Sequence, residues 1–310
     1  MKRESGERKL KIYFNREVVT GPWGGGNKIL SGIVSKVAKE GHEIVFNLCE
    51  NIDVMFCMDP RPNGKGVHYG HLAEYKRAFG AKIVQRVGDV GTHGKPDLTS
   101  LVRRTVKISD HVIFPSLYAK EMSLYTGEDY SIIYNRPDDI FRAKTHPDDK
   151  IGTPISIVTH HWSTNPKKGF DTYLSIADSL PENFKFTYIG RTPQGFRHNR
   201  IKIINPLSGQ DLAEALSMHD IYVTASQEEA GANHVLEAMA CGIPVLYMEN
   251  GGSIPEYVAE RGVEFNSVTN FMDKMNDILS SYSTYRSNCK KYTCRLEQTA
   301  KEICEVICKI

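Results

Sequence analysis

The sequence predicts an α/β protein built as two Rossmann-like halves that face each other across a cleft. Three observations carry that prediction. Apolar runs of strand length alternate with stretches of helix length through both halves of the 310 residues. Several of the runs end in loops rich in glycine and polar residues, which is where α/β folds put ligands. Near the middle, Pro137 and the run from His146 to Gly152 read as a linker.

In the first half, Leu10 to Phe14 reads as a strand. The loop Gly21-Pro22-Trp23-Gly24-Gly25-Gly26-Asn27 follows, then an amphipathic helix from Lys28 to Lys39, closed by Gly41-His42, and a second strand from Glu43 to Leu48. This β–glycine loop–α–β unit admits a dinucleotide reading, in which Glu50 holds a ribose and the protein is a nicotinamide-dependent oxidoreductase. The fit is poor, because Gly24-x-Gly26 is followed by Ile29 where that fingerprint asks for glycine. A third strand, Val54 to Met58, ends in Asp59-Pro60-Arg61-Pro62. A fourth, Ala81 to Val87, runs into a polar loop that ends at His93-Gly94. His93 reads as a proton carrier, a hydroxyl partner or a plain surface histidine. His68 and His71 have no evident role. A helix through Leu101, Val102 and Ile108 and a strand from Val112 to Ser116 complete the half.

Ile155 to Thr159 opens the second half. His160-His161-Trp162-Ser163 and Lys167-Lys168-Gly169 come next, then a helix through Tyr173 and Ala177. Phe186 to Arg191 is a further strand ending at Gly190, and Ile201 to Ile204 another; a helix follows from Gln210 to Met218. Ile221 to Thr224 reads as a buried strand. After it, Val235, Leu236, Met239 and Ala240 form the inward face of a short helix that Gly242 and Pro244 terminate, and Ile243 to Met248 is the next strand. Residues 270–310 look helical, with Phe271, Met275, Ile278 and Leu279 on one face.

The front of that short helix carries the chemistry. Gly231 and Ala232 let a ligand approach the backbone, and the first-turn amides, with Asn233 and His234 beside them, form a phosphate site at the positive end of the helix dipole. Glu237, one turn in, repels phosphate but suits a vicinal diol, because two hydroxyl donors meet two acceptor oxygens. Glu229 lies just beyond the phosphate site, facing a second polyol. Diol, diphosphate and polyol in a row describe a sugar nucleotide; by themselves the two glutamates read equally as solvated residues at an element's edge.

Glu229-x7-Glu237 followed by Ala-Met-Ala-Cys-Gly-Ile-Pro-Val resembles the signature of the family 4 (group 1) glycosyltransferases, which have the GT-B fold. Other pieces extend the resemblance. Tyr134-Asn135-Arg136-Pro137-Asp138 to Phe141 is similar to the family's Pro-Asn-Gly-Val-Asp segment, Lys168-Gly169 matches its Lys-Gly, and Gly251-Gly252 stands before Pro255-Glu256 as the family's repeated glycines do. The chain departs from the family at two places. Gly231-Ala232 replaces Phe-Gly, and Ser163 stands where the family has the arginine of its diphosphate clamp. Lys167, Arg191 or Arg16 then replaces that charge, or hydrogen bonds do the work.

The resemblance implies a transferase that moves a sugar from a nucleotide-diphosphate donor to an acceptor hydroxyl, with retention and no obligatory metal. It assigns Lys168 to the diphosphate, Glu229 to the sugar and Glu237 to the ribose. It brings Gly24, Gly25 and Gly26 close to the donor phosphates and the acceptor, with Gly190 and Arg191 on the same cleft. Backbone near Asn205 to Ser208 would hold the base. The implied division is residues 1–148 on the acceptor side, 149–290 on the donor side, and a helix over 291–310 that crosses back onto the first domain. No Asp-x-Asp stands at a strand end to hold Mg²⁺, and the nucleotide sugar is a co-substrate, so no cofactor is expected. A non-catalytic nucleotide-sugar binder is the other reading, since Ser163 removes a clamp charge.

Composition bounds the partners. The net charge is +2, which argues against nucleic acid. The charge is uneven: residues 1–150 hold 24 Lys/Arg against 19 Asp/Glu, and residues 151–310 hold 15 against 18. A basic first half suits an anionic acceptor or peripheral contact with a membrane surface as well as plain solvation; the acceptor class stays open among glycan, lipid and small molecule. Seven cysteines without a paired framework suggest a reducing, cytoplasmic setting. Cys289, Cys294, Cys304 and Cys308 lack zinc-site spacing and read as helix thiols rather than metal ligands. The charged N-terminus lacks a signal-peptide core, and no apolar run is long enough to span a bilayer.

Overall fold

The computed structural model describes residues 8–19, 25–143 and 151–310. Gly24, most of the expected linker and the expected boundary at 148/149 lie outside the described residues. Six parallel strands form the first sheet: β1 (Lys11–Phe14), β2 (Glu43–Val45), β3 (Val54–Cys57), β4 (Lys82–Arg86), β5 (His111–Phe114) and β6 (Tyr130–Ile132), in the order β2-β1-β3-β4-β5-β6. Its helices are α1 (Gly25–Lys39), α2 (Tyr69–Phe79), α3 (Pro96–Thr105) and α4 (Leu117–Ser123). The second sheet contains β7 (Ile155–His161), β8 (Phe184–Gly190), β9 (Ile201–Ile204), β10 (Ile221–Thr224), β11 (Val245–Met248) and β12 (Gly262–Phe265), ordered β12-β11-β10-β7-β8-β9. With it come α5 (Phe170–Ser179), α6 (Gly209–Ser217), α7 (Asn233–Ala240), α8 (Ile254–Val258), α9 (Val268–Ser280) and α10 (Tyr282–Lys290); α11 (Leu296–Lys309) ends the chain.

The strands are apolar because both faces of each sheet are covered. On β1, Ile12 and Phe14 enter one core with Val54 and Phe56 of β3, while Tyr13 enters the opposite core with Met55 and Cys57. The second strand stops at Val45 instead of Leu48, since β2 is an edge strand paired on one side over three residues. Strands β6 and β12 and helices α2, α4 and α8 lie outside the elements read from the sequence. His68 and His71 turn out to cap α2: His68 Nδ1 accepts from Gly70 N at 3.0 Å and His71 Nδ1 from His68 N at 3.2 Å.

Helix α11 packs on the first half, against α1 and the first sheet's core. Ala300, Ile303, Cys304 and Ile307 repeat at helical spacing and join the core of Ile29, Leu30 and Ile33 on α1. A bidentate pair fixes the return, with Arg136 Nη1 and Nη2 donating to Glu302 at 2.8 and 3.0 Å.

In both sheets the direction of winding reverses once, between β1 and β3 in the first and between β7 and β10 in the second. A crevice opens beyond the strand ends at each such point. Loops from the two halves meet between these crevices: Ser116 Oγ donates to Ala230 O at 2.7 Å, Tyr257 Oη to Pro115 O at 2.6 Å, and Thr92 Oγ1 to Glu228 O at 3.0 Å.

Candidate active site

A cavity of about 250 Å³ lies at the reversal point of the second sheet. Lys168, Glu229, Glu237, His160, His161 and His234 line it, and Lys28 and Gly25 reach in from the first half. Local sequence explains each placement. Lys168 ends a 3-10 turn, Pro166–Lys168, that stops at Gly169 with φ of 83°. A Cβ on Gly169 would sit 2.5 Å from the Ala225 carbonyl oxygen, so only glycine lets this turn pack onto the end of β10 and aim Lys168 at Glu229. Glu229 is held from behind, where Ser253 N donates to its carbonyl at 2.8 Å. Helix α7 starts without a side-chain cap, which leaves its front open to an anion. Gly25 meets that front: a Cβ there would fall 1.9 Å from Asn233 Nδ2. The N-termini of α1 and α7 thus converge, and their dipoles add a positive field.

The charges in this cavity are paired one to one. Lys168 Nζ forms an ion pair with Glu229, whose carboxylate also accepts from Ser226 Oγ at 2.6 Å. Lys28 Nζ lies 3.3 Å from Glu237 Oε1, and His160 Nε2 donates to Glu237 Oε2 at 2.9 Å. Burial pushes both carboxyls up, but their partners outweigh it. Lys168, then His234, hold Glu229 well below the ordinary carboxylate range, and His160 with Lys28 lowers Glu237. Burial, reinforced by the neighbouring His234 and Lys168, drives His161 well below its ordinary value; burial brings His234 down to about 4 against the pull of Glu229. Three buried ring atoms here, His160 Nδ1, His161 Nδ1 and His234 Nε2, have no hydrogen-bond partner. Unsatisfied buried atoms on a cavity wall suit a ligand with many hydroxyls.

Of the other expected residues, Gly190, Gly231 and Asn233 line this cavity and the rest lie around it. His93 Nδ1 donates to Gln227 O at 2.8 Å; the carbonyl can only accept, so Nε2 carries the lone pair, buried and unpartnered. Burial lowers its pKa while the nearby Glu229 opposes that shift. Gly231 and Asn233 line this cavity and a second one, whereas Gly26 lines the second alone. Gly190 lines the first. Ala232 is buried in the core behind it, with its amide donated to Ser253 Oγ at 3.2 Å, so it offers a ligand neither side chain nor N–H. Ser163 is exposed and its Oγ accepts from Asn165 N at 3.1 Å.

None of the three expected stand-ins for the clamp arginine reaches the cavity. Lys167 is bound to Glu228 and to Thr92 O, Arg16 lies 3.6 Å from Asp59 in the first half, and Arg191 stacks on Trp162 at 4.4 Å. The second lysine on the cavity wall is Lys28. The sequence marks Lys28 only as the start of a helix and gives His160 and His161 no role; the position of the two histidines at the C-terminal end of β7 is the available signal. Glu50, the ribose acid of the dinucleotide reading, is exposed five residues past β2 and lines neither cavity.

Comparison with known families bears on the same segment. Residues 157–295 match the family described as glycosyl transferases group 1. The matched segment supplies Lys168, Glu229 and Glu237, while Lys28, Gly25 and most of the second cavity's wall come from outside it. The chain is 30% identical over 112 residues to the sulfoquinovosyl transferase SQD2 of Arabidopsis thaliana, covering 34% of this chain and 21% of that protein. Solved structures extend the likeness over nearly the whole chain. HepE of Anabaena in complex with UDP and glucose aligns over 98% of this chain and 100% of its own at 15% identity and a TM-score of 0.71. WaaG, a glycosyltransferase involved in lipopolysaccharide biosynthesis, covers 96% and 99% at 16% identity and 0.65. The sucrose-phosphate synthase of Thermosynechococcus elongatus covers 96% and 98% at 14% identity and 0.69. This likeness shows the fold, GT-B.

Among the described residues, Glu40, His42 and Cys308 come within ligand distance of one another, at the edge of the first sheet away from the cleft. His42 Nδ1 accepts from Leu10 N at 3.2 Å, so Nε2 carries a proton and presents it to Cys308 Sγ at 3.1 Å. In that tautomer the ring has no lone pair for a metal there. No described helix is long and apolar enough to cross a membrane.

Proposed function

We propose that this protein transfers a sugar from a nucleotide-diphosphate donor to an acceptor hydroxyl, with retention and without an obligatory metal. One observation carries the reading: two lysines, two carboxylates and an uncapped helix front converge in one cavity at a sheet reversal point. The donor lies along that cavity. Its ribose diol takes Glu237, and its base rests by Pro206, Leu207 and Ser208. Its diphosphate meets the front of α7.

Binding exchanges partners. The diol displaces Lys28 from Glu237, and the freed ammonium turns to the diphosphate beside Lys168. Both lysines then face charge that grows as the sugar–phosphate bond breaks, so their contacts strengthen in the transition state. Glu229 and the lone pair of His93 Nε2 orient sugar hydroxyls. The acceptor enters through the second cavity, which shares Gly231 and Asn233 with the first. Sugar binding without turnover is disfavoured by Lys28, which restores the charge lost at Ser163. All seven cysteines are free, in keeping with a reducing, cytoplasmic setting.

A thermal-shift screen of UDP-, GDP-, ADP- and CMP-sugars in excess chelator tests the proposal. A donor present at 100 times its Kd should stabilise by about 2.7 kcal/mol, with turnover persisting under chelation. No response to any sugar nucleotide would remove the donor site, and activity that returns only with Mg²⁺ or Mn²⁺ would remove the metal-free mechanism.

A further inference from the structure

The second cavity, about 340 Å³, lies at the reversal point of the first sheet. Its wall carries three carboxylates, Glu17, Asp59 and Asp89, and three guanidinium groups, Arg16, Arg61 and Arg86. Every carboxylate already has a cation. Glu17 pairs with Lys65 at 2.6 Å, Asp89 with Lys95 at 2.6 Å, and Asp59 with Arg61 at 2.7 Å and Arg16 at 3.6 Å.

Among the described residues of the wall, Arg86 alone of the cations has no carboxylate. It is the last residue of β4 and only 2% exposed. Nη2 donates to Asn135 Oδ1 at 2.6 Å, Nη1 reaches only Met58 Sδ at 4.0 Å, and Nε has no partner. Burial depresses its pKa to about 10, with only Tyr257 opposing. A buried cation without an anion is costly, and a fold that needed only a bridge to Asn135 could use a neutral side chain. The guanidinium fork matches a planar or tetrahedral oxyanion.

We infer that the acceptor carries an oxyanion, a carboxylate or a phosphate, that pairs with Arg86 in this cavity. The inference rests on the proposal that the first cavity holds the donor, because the shared wall at Gly231 and Asn233 then puts an acceptor bound here beside the sugar.

The test uses the full chain with UDP or GDP, whichever binds, held at saturation so that the donor phosphate site is filled. Inorganic phosphate and acetate are then titrated separately by calorimetry and thermal shift. Wild type should bind at least one of them. Arg86→Gln should weaken that binding at least tenfold, leave nucleoside-diphosphate affinity unchanged, and melt at or above the wild-type temperature. Arg86→Lys keeps the charge without the fork and should fall between the two. A stronger response to phosphate than to acetate assigns a phosphorylated acceptor, and the reverse a carboxylated one. The inference is overturned if neither anion binds the nucleotide-loaded wild type, or if Arg86→Gln binds them as wild type does. It is equally overturned if the glutamine variant melts far lower while Arg86→Lys, still folded, binds them no more weakly than wild type. Failure of every nucleotide to bind would instead strike the donor site.

Discussion

The two cavities sit at equivalent points of two similar sheets, yet their electrostatics differ. In the donor-side cavity each lysine already holds a glutamate, Lys168 on Glu229 and Lys28 on Glu237, and two of its histidines, His161 and His234, are kept neutral by burial. In the first-sheet cavity the carboxylates are satisfied and one buried guanidinium is left over. The difference teaches how each site treats its ligand. On the proposed function, the donor-side cavity is neutral when empty and binds by exchange, so that each lysine gives up a carboxylate only when a diphosphate replaces it. The other site holds a standing charge that an incoming group must complete.

The largest effect expected is at Lys168. Removing one preorganised stabiliser of developing charge costs about 100- to 1000-fold in kcat, so Lys168→Ala should lose that much in a steady-state assay. It also leaves Glu229 buried without its main cation, and the melting temperature should fall as well. Turnover near wild type in this variant would move the clamp to Lys28 alone and break the picture of two exchanging pairs.

Next comes the pH response of the neutral histidines. His234 titrates at about 4 when folded and near its ordinary 6.5 when unfolded. The unfolded chain therefore takes up the proton first, and stability falls as pH drops from 6.5 toward 4, by about 3 kcal/mol for this residue. Glu229 and Glu237 have lowered values, so their contributions persist through that window and fade only below about 4.5. Denaturation midpoints measured from pH 7 to 4 should slope downward in wild type and less steeply in His234→Gln, where His161, His93, His111 and His219, also lowered by burial, keep part of the slope. An unchanged slope in the variant would mean the ring is charged in the folded protein.

Glu237→Gln keeps the shape of the ribose contact and loses its charge. Nucleoside-diphosphate affinity should drop about tenfold or more, from a charged hydrogen bond worth about 1.5–3 kcal/mol. Calorimetry reads this directly, and wild-type affinity would take the ribose away from this end of the cavity.

What the sequence made legible follows the range of the interactions. The strands, the helix Asn233–Ala240 and its terminator Gly242 depend on neighbours in the chain, and the fold could be read from them. Lys168 and the two glutamates were legible through a motif within the second half. Lys28 was not, because it meets Glu237 across 209 residues and by itself looks like any lysine in the first turn of a helix. Arg86 was equally silent, since what marks it is the absence of a partner, and absence has no local pattern. Ala232 was misjudged for a related reason: its small side chain serves packing against Val235 and Leu236 in the core rather than access for a ligand.

The central claim is that the donor lies with its nucleotide toward Glu237 and its sugar toward Glu229. Glu229→Gln tests it most directly, measured for both the intact sugar nucleotide and the free nucleoside diphosphate. The claim predicts slower turnover of the sugar nucleotide with affinity for the free nucleotide nearly unchanged, in a protein that melts cooperatively. Weakened binding of the free nucleotide, equal to that in Glu237→Gln, would contradict it and place the sugar at the other end of the cavity.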